Sequence, residues 1–309
     1  MIHKDEQKII LGTAQLGMEY GIANSTGRPH LKEAKEILSL ADNSSIQYLD
    51  TARAYGDSEQ IIGEYVSINS SLKIITKLSP LDGVNESSKK EEIKRKVIES
   101  VQKSLLSLKR KKLEILLLHR AEHLNLLEGL IFNILLELKN KKIINEIGVS
   151  VQNPQELSKA LDFEEITHVQ FPFNILDHRW LESELLEKLI KRKEVRKHIR
   201  SVFLQGALTS NSKVIWHKKP FSDYLDALDV LERWQKKLGF RSLRELSLAY
   251  VRSYDWIDGY VLGVETAEQL EGNISSFNNP TLNNTQLNQI KYELPTLPEK
   301  ILNPAKWKL

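Results

Sequence analysis

The sequence contains no cysteine, which excludes disulfides, thiolate metal ligands and cysteine nucleophiles. It also lacks long apolar runs: the first residues contain none of secretory-signal length, and no later stretch is long enough to cross a membrane. The formal net charge of +3 is small for 309 residues, so a nucleic-acid partner is not expected. With 28% charged and 41% hydrophobic residues, the composition is that of a globular protein, and we expect it in the cytoplasm.

Short apolar runs rich in β-branched residues recur along the chain, with amphipathic stretches between them. Val97, Val101, Leu105 and Leu108, for example, fall on one face of a helix. This alternation predicts repeated strand–helix units and a parallel sheet. Eight such units close into a (β/α)8 TIM barrel. The runs are residues 8–13, 46–50, 73–77, 114–119, 146–150, 167–171, 199–203 and 260–264.

A doubly wound open sheet is the main alternative to the barrel. Such sheets usually carry a GxGxxG phosphate-binding motif directly after the first strand. Here the chain reads LGTAQLGMEYG at that point, which does not fit the motif. No Gly/Ser linker or low-complexity tract divides the chain either. We therefore expect a single barrel domain over residues 1–309, with 205–223 as a lid loop and 281–309 as a C-terminal tail.

Four polar residues lie at or just after the C-terminal ends of consecutive predicted strands. Asp50, Lys77 and His119 end the second, third and fourth strands, and Tyr55 follows the second. In a parallel barrel these ends meet at one mouth. There Lys77 can neutralise Asp50 and lower the pKa of the Tyr55 phenol from its reference value of about 10. Tyr55 then becomes a proton donor, and His119 a hydrogen-bond donor to a substrate carbonyl.

These residues also have structural interpretations. Asp50 and Lys77 on their own could be a buried ion pair without a catalytic role. His119 and His123 have the i, i+4 spacing of a metal site, but no carboxylate with ligand spacing joins them, so no metal is predicted. The catalytic interpretation is favoured because Tyr55 and His119 accompany the ion pair at the matching strand ends.

These segments resemble those of the aldo-keto reductase family. LDTARAYGDSE is similar to the family's signature segment, IITKLSP to its lysine strand and LLLHR to its histidine strand, and the likeness runs nearly end to end. The resemblance implies that Tyr55 is the general acid, that Lys77 and Asp50 tune it, and that His119 orients the substrate. It also implies a nicotinamide cofactor bound in extended form without a Rossmann domain, either NADP(H) or, alternatively, NAD(H).

The resemblance further implies cofactor contacts on the first, fifth and sixth strands. Gly12 and Thr13 correspond to the first-strand contact. Ser150 and Gln170 match the residues that hydrogen-bond the nicotinamide carboxamide. Val151 stands where many members have Asn, which predicts one carboxamide contact fewer.

The seventh strand supplies the residue that stacks on the nicotinamide ring in the family. In IRSVFLQGALTS, a gapless match of the glycine places Arg200 at that position, and Phe203 lies three residues further on. Either side chain could cover the ring, since a guanidinium can stack on a π face.

The last strand leads into GVETAEQLEGN, which resembles the family's adenosine-side segment up to Asn273. Thr266 and Gln269 have the spacing of a capping box at a helix start, and such a helix N-terminus is an anion site. Many relatives place Lys and Arg in this segment to hold the 2′-phosphate of NADPH. The matching residues here are Gly263 and Gln269, which weakens the case for NADPH over NADH.

The predicted function is reduction of an aldehyde or ketone by NAD(P)H, or the reverse alcohol oxidation. Polar loops around residues 18–30, 120–125 and 205–223 favour a sugar or another hydroxylated carbonyl compound as substrate. A nicotinamide-binding accessory or regulatory subunit with little turnover is the alternative from another class. A barrel hydrolase or isomerase that needs no nicotinamide is the third.

Overall fold

The computed structural model describes residues 8–24, 27–66, 70–181, 184–209, 212–218 and 220–307. Eight parallel strands follow one another in chain order and form a closed barrel, in which the first strand pairs with both the second and the eighth. The predicted (β/α)8 fold is therefore confirmed. The strands are β1 (Ile9–Gly12), β2 (Tyr48–Asp50), β3 (Lys73–Lys77), β4 (Leu113–Leu118), β5 (Ile144–Ser150), β6 (Ile166–Pro172), β7 (Arg196–Arg200) and β8 (Gly259–Gly263).

Helices surround the barrel because each one buries an apolar stripe against the strands. In α2, for instance, Ala34, Ile37, Leu38 and Ala41 recur at spacings of three and four residues and therefore share one face of the helix. All four are fully buried. Short 3-10 turns also occur, among them Leu204–Gly206. The helices are α1 (Ala14–Gly17), α2 (Leu31–Asp42), α3 (Ser58–Tyr65), α4 (Lys90–Ser107), α5 (Leu126–Asn140), α6 (Pro154–Ala160), α7 (Glu184–Lys191), α8 (Ser212–Trp216), α9 (Leu225–Lys237), α10 (Leu243–Arg252), α11 (Ala267–Ser276), α12 (Asn284–Glu293) and α13 (Glu299–Leu302).

The seventh strand lies three residues earlier than the sequence pattern predicts. It runs over Arg196–Arg200 instead of 199–203, because three polar residues at its start pair with β6 in spite of their low β-propensity. It ends where Ser201 takes a left-handed backbone with φ of +60°, which cannot continue a strand. Phe203 consequently lies in the loop after β7 and not at a strand end.

The barrel interior contains a buried polar layer below its mouth. Tyr48 on β2 receives a hydrogen bond from Arg196 on β7, a contact between non-adjacent strands that must cross the interior. His168 and His198 lie beside this pair, with their rings edge to face and their centroids 5.4 Å apart. Both imidazoles are almost fully buried, with 1% and 3% of their surface exposed.

The C-terminal segment packs against the helices that precede β8. Glu293 in α12 accepts hydrogen bonds from Arg233 and from the indole N–H of Trp234, both in α9. The Trp307 ring contacts the Phe221 ring edge to face at a centroid distance of 5.1 Å. Part of the segment predicted as a lid is thus held by the chain end. None of the described helices combines the length and apolar character needed to span a membrane.

Candidate active site

The strand geometry brings one layer of side chains to the barrel mouth. Side chains alternate between the two faces of a strand, so residues two positions apart share the interior face. Tyr48 and His168 belong to the lower interior layer, and Asp50 and Gln170, two residues further along the same strands, belong to the layer above it. Lys77, Ser150 and Arg200 are the last residues of their strands. The mouth therefore collects most of the residues predicted for the site.

Asp50 and Lys77 form a buried ion pair in this layer. Lys77 Nζ lies 2.7 Å from Asp50 Oδ2 and also donates to the Thr51 carbonyl at 2.9 Å. The other carboxylate oxygen accepts from Gln170 Nε2 at 2.7 Å. With 3% of Asp50 and 1% of Lys77 exposed, both charges depend on these partners, since an isolated buried charge is very costly. Burial acts to lower the pKa of Lys77, but the charges of Asp50 and Tyr55 and the hydrogen bond to Asp50 together outweigh it, so this pKa lies above its ordinary value.

Tyr55 lies against this ion pair. Lys77 Nζ is 5.0 Å from the centre of the Tyr55 ring, and the ring of His119 meets it edge to face at a centroid distance of 6.0 Å. Burial raises the pKa of Tyr55 above its ordinary value, and the charges of Lys77 and Arg200 offset this only in part. The lowered Tyr55 pKa expected from the charges alone is therefore wrong in its net direction.

His119 is a neutral imidazole in this surrounding. Burial lowers its pKa to about 3, and the positive charges of Lys77 and Arg200 act in the same direction. Its Nδ1 is buried and has no hydrogen-bond partner among the described residues. A neutral ring carries one N–H, so His119 can give one hydrogen bond to a ligand and accept another. Within the described ranges, no three His, Asp or Glu side chains gather as metal ligands around it.

A cavity of about 400 Å³ opens beside Tyr55 and runs along the β1, β7 and β8 side of the mouth. One end is lined by Asp50 and Tyr55, and the other by residues at the start of α11. Ser150 and Gln170 do not line it and are buried at the rim with 3% and 0% exposure. The remaining residues predicted to contact a cofactor all line the cavity: Gly12, Thr13, Arg200, Phe203, Gly263, Thr266, Gln269 and Asn273.

Thr13 is held in place by its neighbours. Its hydroxyl donates to the Asp50 carbonyl at 2.9 Å and accepts from the Ser58 hydroxyl at 2.8 Å. Gly12 has no room for a larger side chain without displacing β8, since a Cβ there would lie 3.2 Å from the Gly263 amide nitrogen. The first-strand contact is thus a tightly packed wall of the cavity.

At the far end of the cavity, α11 begins with a side-chain cap that differs from the predicted one. The Thr266 hydroxyl accepts a hydrogen bond from the backbone N–H of Gln269 at 3.2 Å, as expected for the N-cap. The Gln269 side chain, however, reaches past Thr266. It accepts from the Glu265 amide at 2.9 Å and donates to the Glu265 carboxylate at 3.1 Å. This places a carboxylate at the helix start, in the wall of the cavity.

Sequence reasoning did not identify several cavity residues. Arg244, in the first turn of α10, lines the far end of the cavity. Its guanidinium packs closely against Gly272 of α11, since a Cβ at Gly272 would lie 3.0 Å from Arg244 Nη2. Gln15, Tyr20 and Glu265 also line the cavity. The family comparison of the last strand could have singled out Glu265, since it lies between Gly263 and Gln269, but nothing local in the sequence marks Arg244.

Besides His119 Nδ1, three buried polar atoms at this site lack a hydrogen-bond partner among the described residues. They are Gln170 Oε1 at the catalytic end and Arg244 Nε and Asn273 Oδ1 at the far end. Buried polar atoms are normally paired, so the two side-chain carbonyl oxygens fit donors of a ligand at both ends, and Arg244 Nε fits an acceptor at the far end. A nicotinamide dinucleotide has a carboxamide at one end and an adenine amino group at the other, and the residues present fit it.

A barrel with its polar cavity at the C-terminal ends of the strands has the architecture of a TIM-barrel enzyme. The model of the aldo/keto reductase family matches residues 8–292, and the chain therefore belongs to this family. Members of the family are oxidoreductases that act on carbonyl compounds and use nicotinamide cofactors. A comparison with curated proteins finds no match.

Two solved structures illustrate the likeness. An aldo-keto reductase of Bacillus halodurans in its holo form has a TM-score of 0.70 at 21% identity, with 94% of this chain and 93% of that chain covered. A glycerol dehydrogenase of Gluconobacter oxydans has a TM-score of 0.68 at 18% identity, with 93% and 90% covered. At these identities the likeness concerns the fold.

Proposed function

We propose that this chain reduces an aldehyde or ketone to the alcohol with a nicotinamide cofactor, and that Tyr55 is the general acid. The observation that supports this most strongly is the position of Lys77. Its amine is 2.7 Å from the Asp50 carboxylate and 5.0 Å from the centre of the Tyr55 ring, at the edge of a cavity that can hold the substrate.

The raised pKa of Tyr55 suits a proton donor, because the phenol stays protonated at neutral pH. When it gives up its proton, the phenolate forms beside the Lys77 ammonium, which stabilises the new negative charge. Asp50 and Gln170 fix the position of that ammonium. The phenol then regains a proton from solvent.

His119 is the proposed positioning residue for the substrate. As a neutral imidazole beside the Tyr55 ring, it can donate a hydrogen bond to the carbonyl oxygen and hold it near the phenol. The bound cofactor supplies the hydride, so the carbonyl carbon gains two electrons and Tyr55 supplies the proton to its oxygen. Gln170 and Ser150 would hold the carboxamide end, and Thr266, Gln269 and Asn273 the adenosine end.

NADP(H) remains the cofactor we propose first, with NAD(H) as the alternative. Gly263 and Gln269 replace the cations that hold a 2′-phosphate in many relatives, but Arg244 brings a guanidinium to the same end. A phosphate can be bound by a guanidinium from another element. A fluorescence titration with NADPH and NADH compares the two dissociation constants directly.

A hydroxylated carbonyl compound is the proposed substrate class. Hydrogen-bonding side chains, including Gln15, Tyr20, Gln205 and Thr209, line the cavity beside the catalytic end. Such groups are left unpaired by an apolar substrate, which costs affinity. A panel of short sugars, hydroxyaldehydes and matched alkyl aldehydes tests this: higher kcat/KM for the alkyl compounds would contradict it.

Tyr55→Phe tests the general acid. It removes one oxygen without changing the ring, so turnover should fall by at least about a hundredfold, the scale of general acid catalysis. Cofactor affinity, measured by nicotinamide fluorescence, should stay nearly unchanged. Tyr292→Phe is the matched control because 91% of Tyr292 is exposed. A Tyr55→Phe protein with the activity of the parent would refute the assignment.

A further inference from the structure

The catalytic end of the cavity carries a net positive charge. Lys77 and Asp50 neutralise each other at 2.7 Å, His119 is uncharged because burial holds its pKa at about 3, and the phenol of Tyr55 is neutral. Arg200 adds one positive charge to this group, since a guanidinium remains protonated in proteins.

No described carboxylate forms an ion pair with Arg200. Its two terminal nitrogens donate to neutral oxygens, Nη1 to the Ser201 hydroxyl at 3.4 Å and Nη2 to the Val151 carbonyl at 3.3 Å. The side chain lines the same cavity as Asp50 and Tyr55. The chain thus places a cation without a counter-charge in the wall of the cavity that Asp50 and Tyr55 also line.

We propose that Arg200 makes the site bind the reduced nicotinamide cofactor more tightly than the oxidised one, so that the protein, exposed to both forms, is loaded mainly with the reduced form. This inference rests on the proposed function, in which the hydride reaches a carbonyl held at Tyr55. The oxidised nicotinamide ring is a cation and the reduced ring is neutral. A nearby guanidinium therefore repels the oxidised ring, while a neutral ring remains a good surface for it to stack on.

Lys77 cannot have the same effect, although it lies 5.0 Å from the centre of the Tyr55 ring. Its charge is compensated by Asp50 within hydrogen-bond distance, and a compensated pair exerts little net field on a third group. The seventh strand therefore supplies a determinant of which redox form of the cofactor binds more tightly, separate from the proton-transfer residues. Arg200 acts in this proposal as a fixed charge and not as an acid or base.

Direct binding measurements test the proposal without relying on turnover. The dissociation constants of the oxidised and reduced cofactor, NADP or NAD according to which binds more tightly, are measured for the parent protein and for Arg200→Gln, Arg200→Met and Arg200→Lys. Intrinsic tryptophan fluorescence reports both forms. Arg233→Gln is the control, because this arginine is 60% exposed on α9 and far from the mouth.

We expect the ratio Kd(oxidised)/Kd(reduced) to fall by about tenfold in Arg200→Gln and Arg200→Met, equivalent to about 30 mV in the potential of the bound couple. Arg200→Lys and Arg233→Gln should keep the parent ratio. A melting curve checks folding, and Arg200→Met gives the same answer if the Gln variant is unstable.

Two results would overturn the proposal in different ways. If Arg200→Gln and Arg200→Met weaken both forms equally, the ratio is unchanged, and Arg200 is a contact without influence on which redox form binds more tightly, while the proposed function stands. If the parent protein binds neither form, the proposed function itself fails, and this inference fails with it.

Discussion

The buried histidine pair below the mouth predicts a steep loss of stability in mild acid. Burial, together with the charge of Arg196 and the neighbouring imidazole, lowers the pKa of His168 to about 2. Burial, followed by the charges of Arg196 and Lys77, lowers the pKa of His198 to about 3. Both values lie below the 6.5 of a free histidine. The folded protein therefore holds both rings neutral while the unfolded chain takes up protons.

The sign and size of the effect follow from this difference. Below pH 6.5 the unfolded state binds more protons, so the free energy of unfolding rises with pH and is lost as pH falls. Each histidine contributes about 1.4 kcal/mol per pH unit, and the pair about 2.7 kcal/mol per unit. Between pH 7.5 and pH 5 the loss from both amounts to about 4 kcal/mol, a large part of the stability of an ordinary domain.

Urea unfolding, followed by tryptophan fluorescence at several pH values, measures this dependence. His168→Gln and His198→Gln should each reduce the slope of unfolding free energy against pH by about 1.4 kcal/mol per unit, whatever they do to stability itself. His217→Gln, at an exposed histidine, is the matched control and should keep the parent slope. An unchanged slope in both buried-histidine variants would show that these rings are protonated in the folded protein.

Two further predictions concern the charges of the site. Lys77→Met leaves the Asp50 carboxylate buried without its cation, so the free energy of unfolding measured in urea should fall by about 3–5 kcal/mol. Adding Asp50→Asn to this variant should recover part of the loss. If the double variant instead shows the sum of the two single losses, the two residues are not coupled. Glu265→Gln removes a carboxylate from the adenosine end, so the affinity for NADPH relative to NADH should rise about threefold to tenfold in a fluorescence titration. Glu271→Gln, an exposed position on the same helix, should leave that ratio unchanged.

Much of the catalytic end could be predicted because its signals are local. Asp50 and Lys77 each end an apolar run of a few residues, and parallel strands bring such ends together whatever the details of packing. The position of Tyr55 does not follow from a strand end alone, because Tyr55 lies in the turn after β2. The fold and the positions of these side chains therefore follow from strand ends and their order.

Other features depend on packing that the sequence does not display. The start of β7 was missed because Arg196 and His198 are polar, and they form a strand only through their contacts with Tyr48 and β6. The direction of the Tyr55 pKa was missed for a related reason: the size of the desolvation effect depends on burial, which a residue list does not give. Arg244 reaches the cavity from a helix and has no local signal.

The two interior layers of the barrel depend on each other. His198 lies two residues before Arg200 on β7, and the charge of Lys77 contributes to lowering its pKa. If this imidazole were protonated, it would add a further uncompensated positive charge beneath the mouth. The positive charge near the cofactor site would then come from His198 as well as from Arg200. Burial keeps both imidazoles neutral, so they add nothing to the positive charge that Arg200 gives the layer above. The apolar packing that makes the protein sensitive to acid thus also fixes the electrostatic condition under which we expect it to bind the reduced cofactor preferentially.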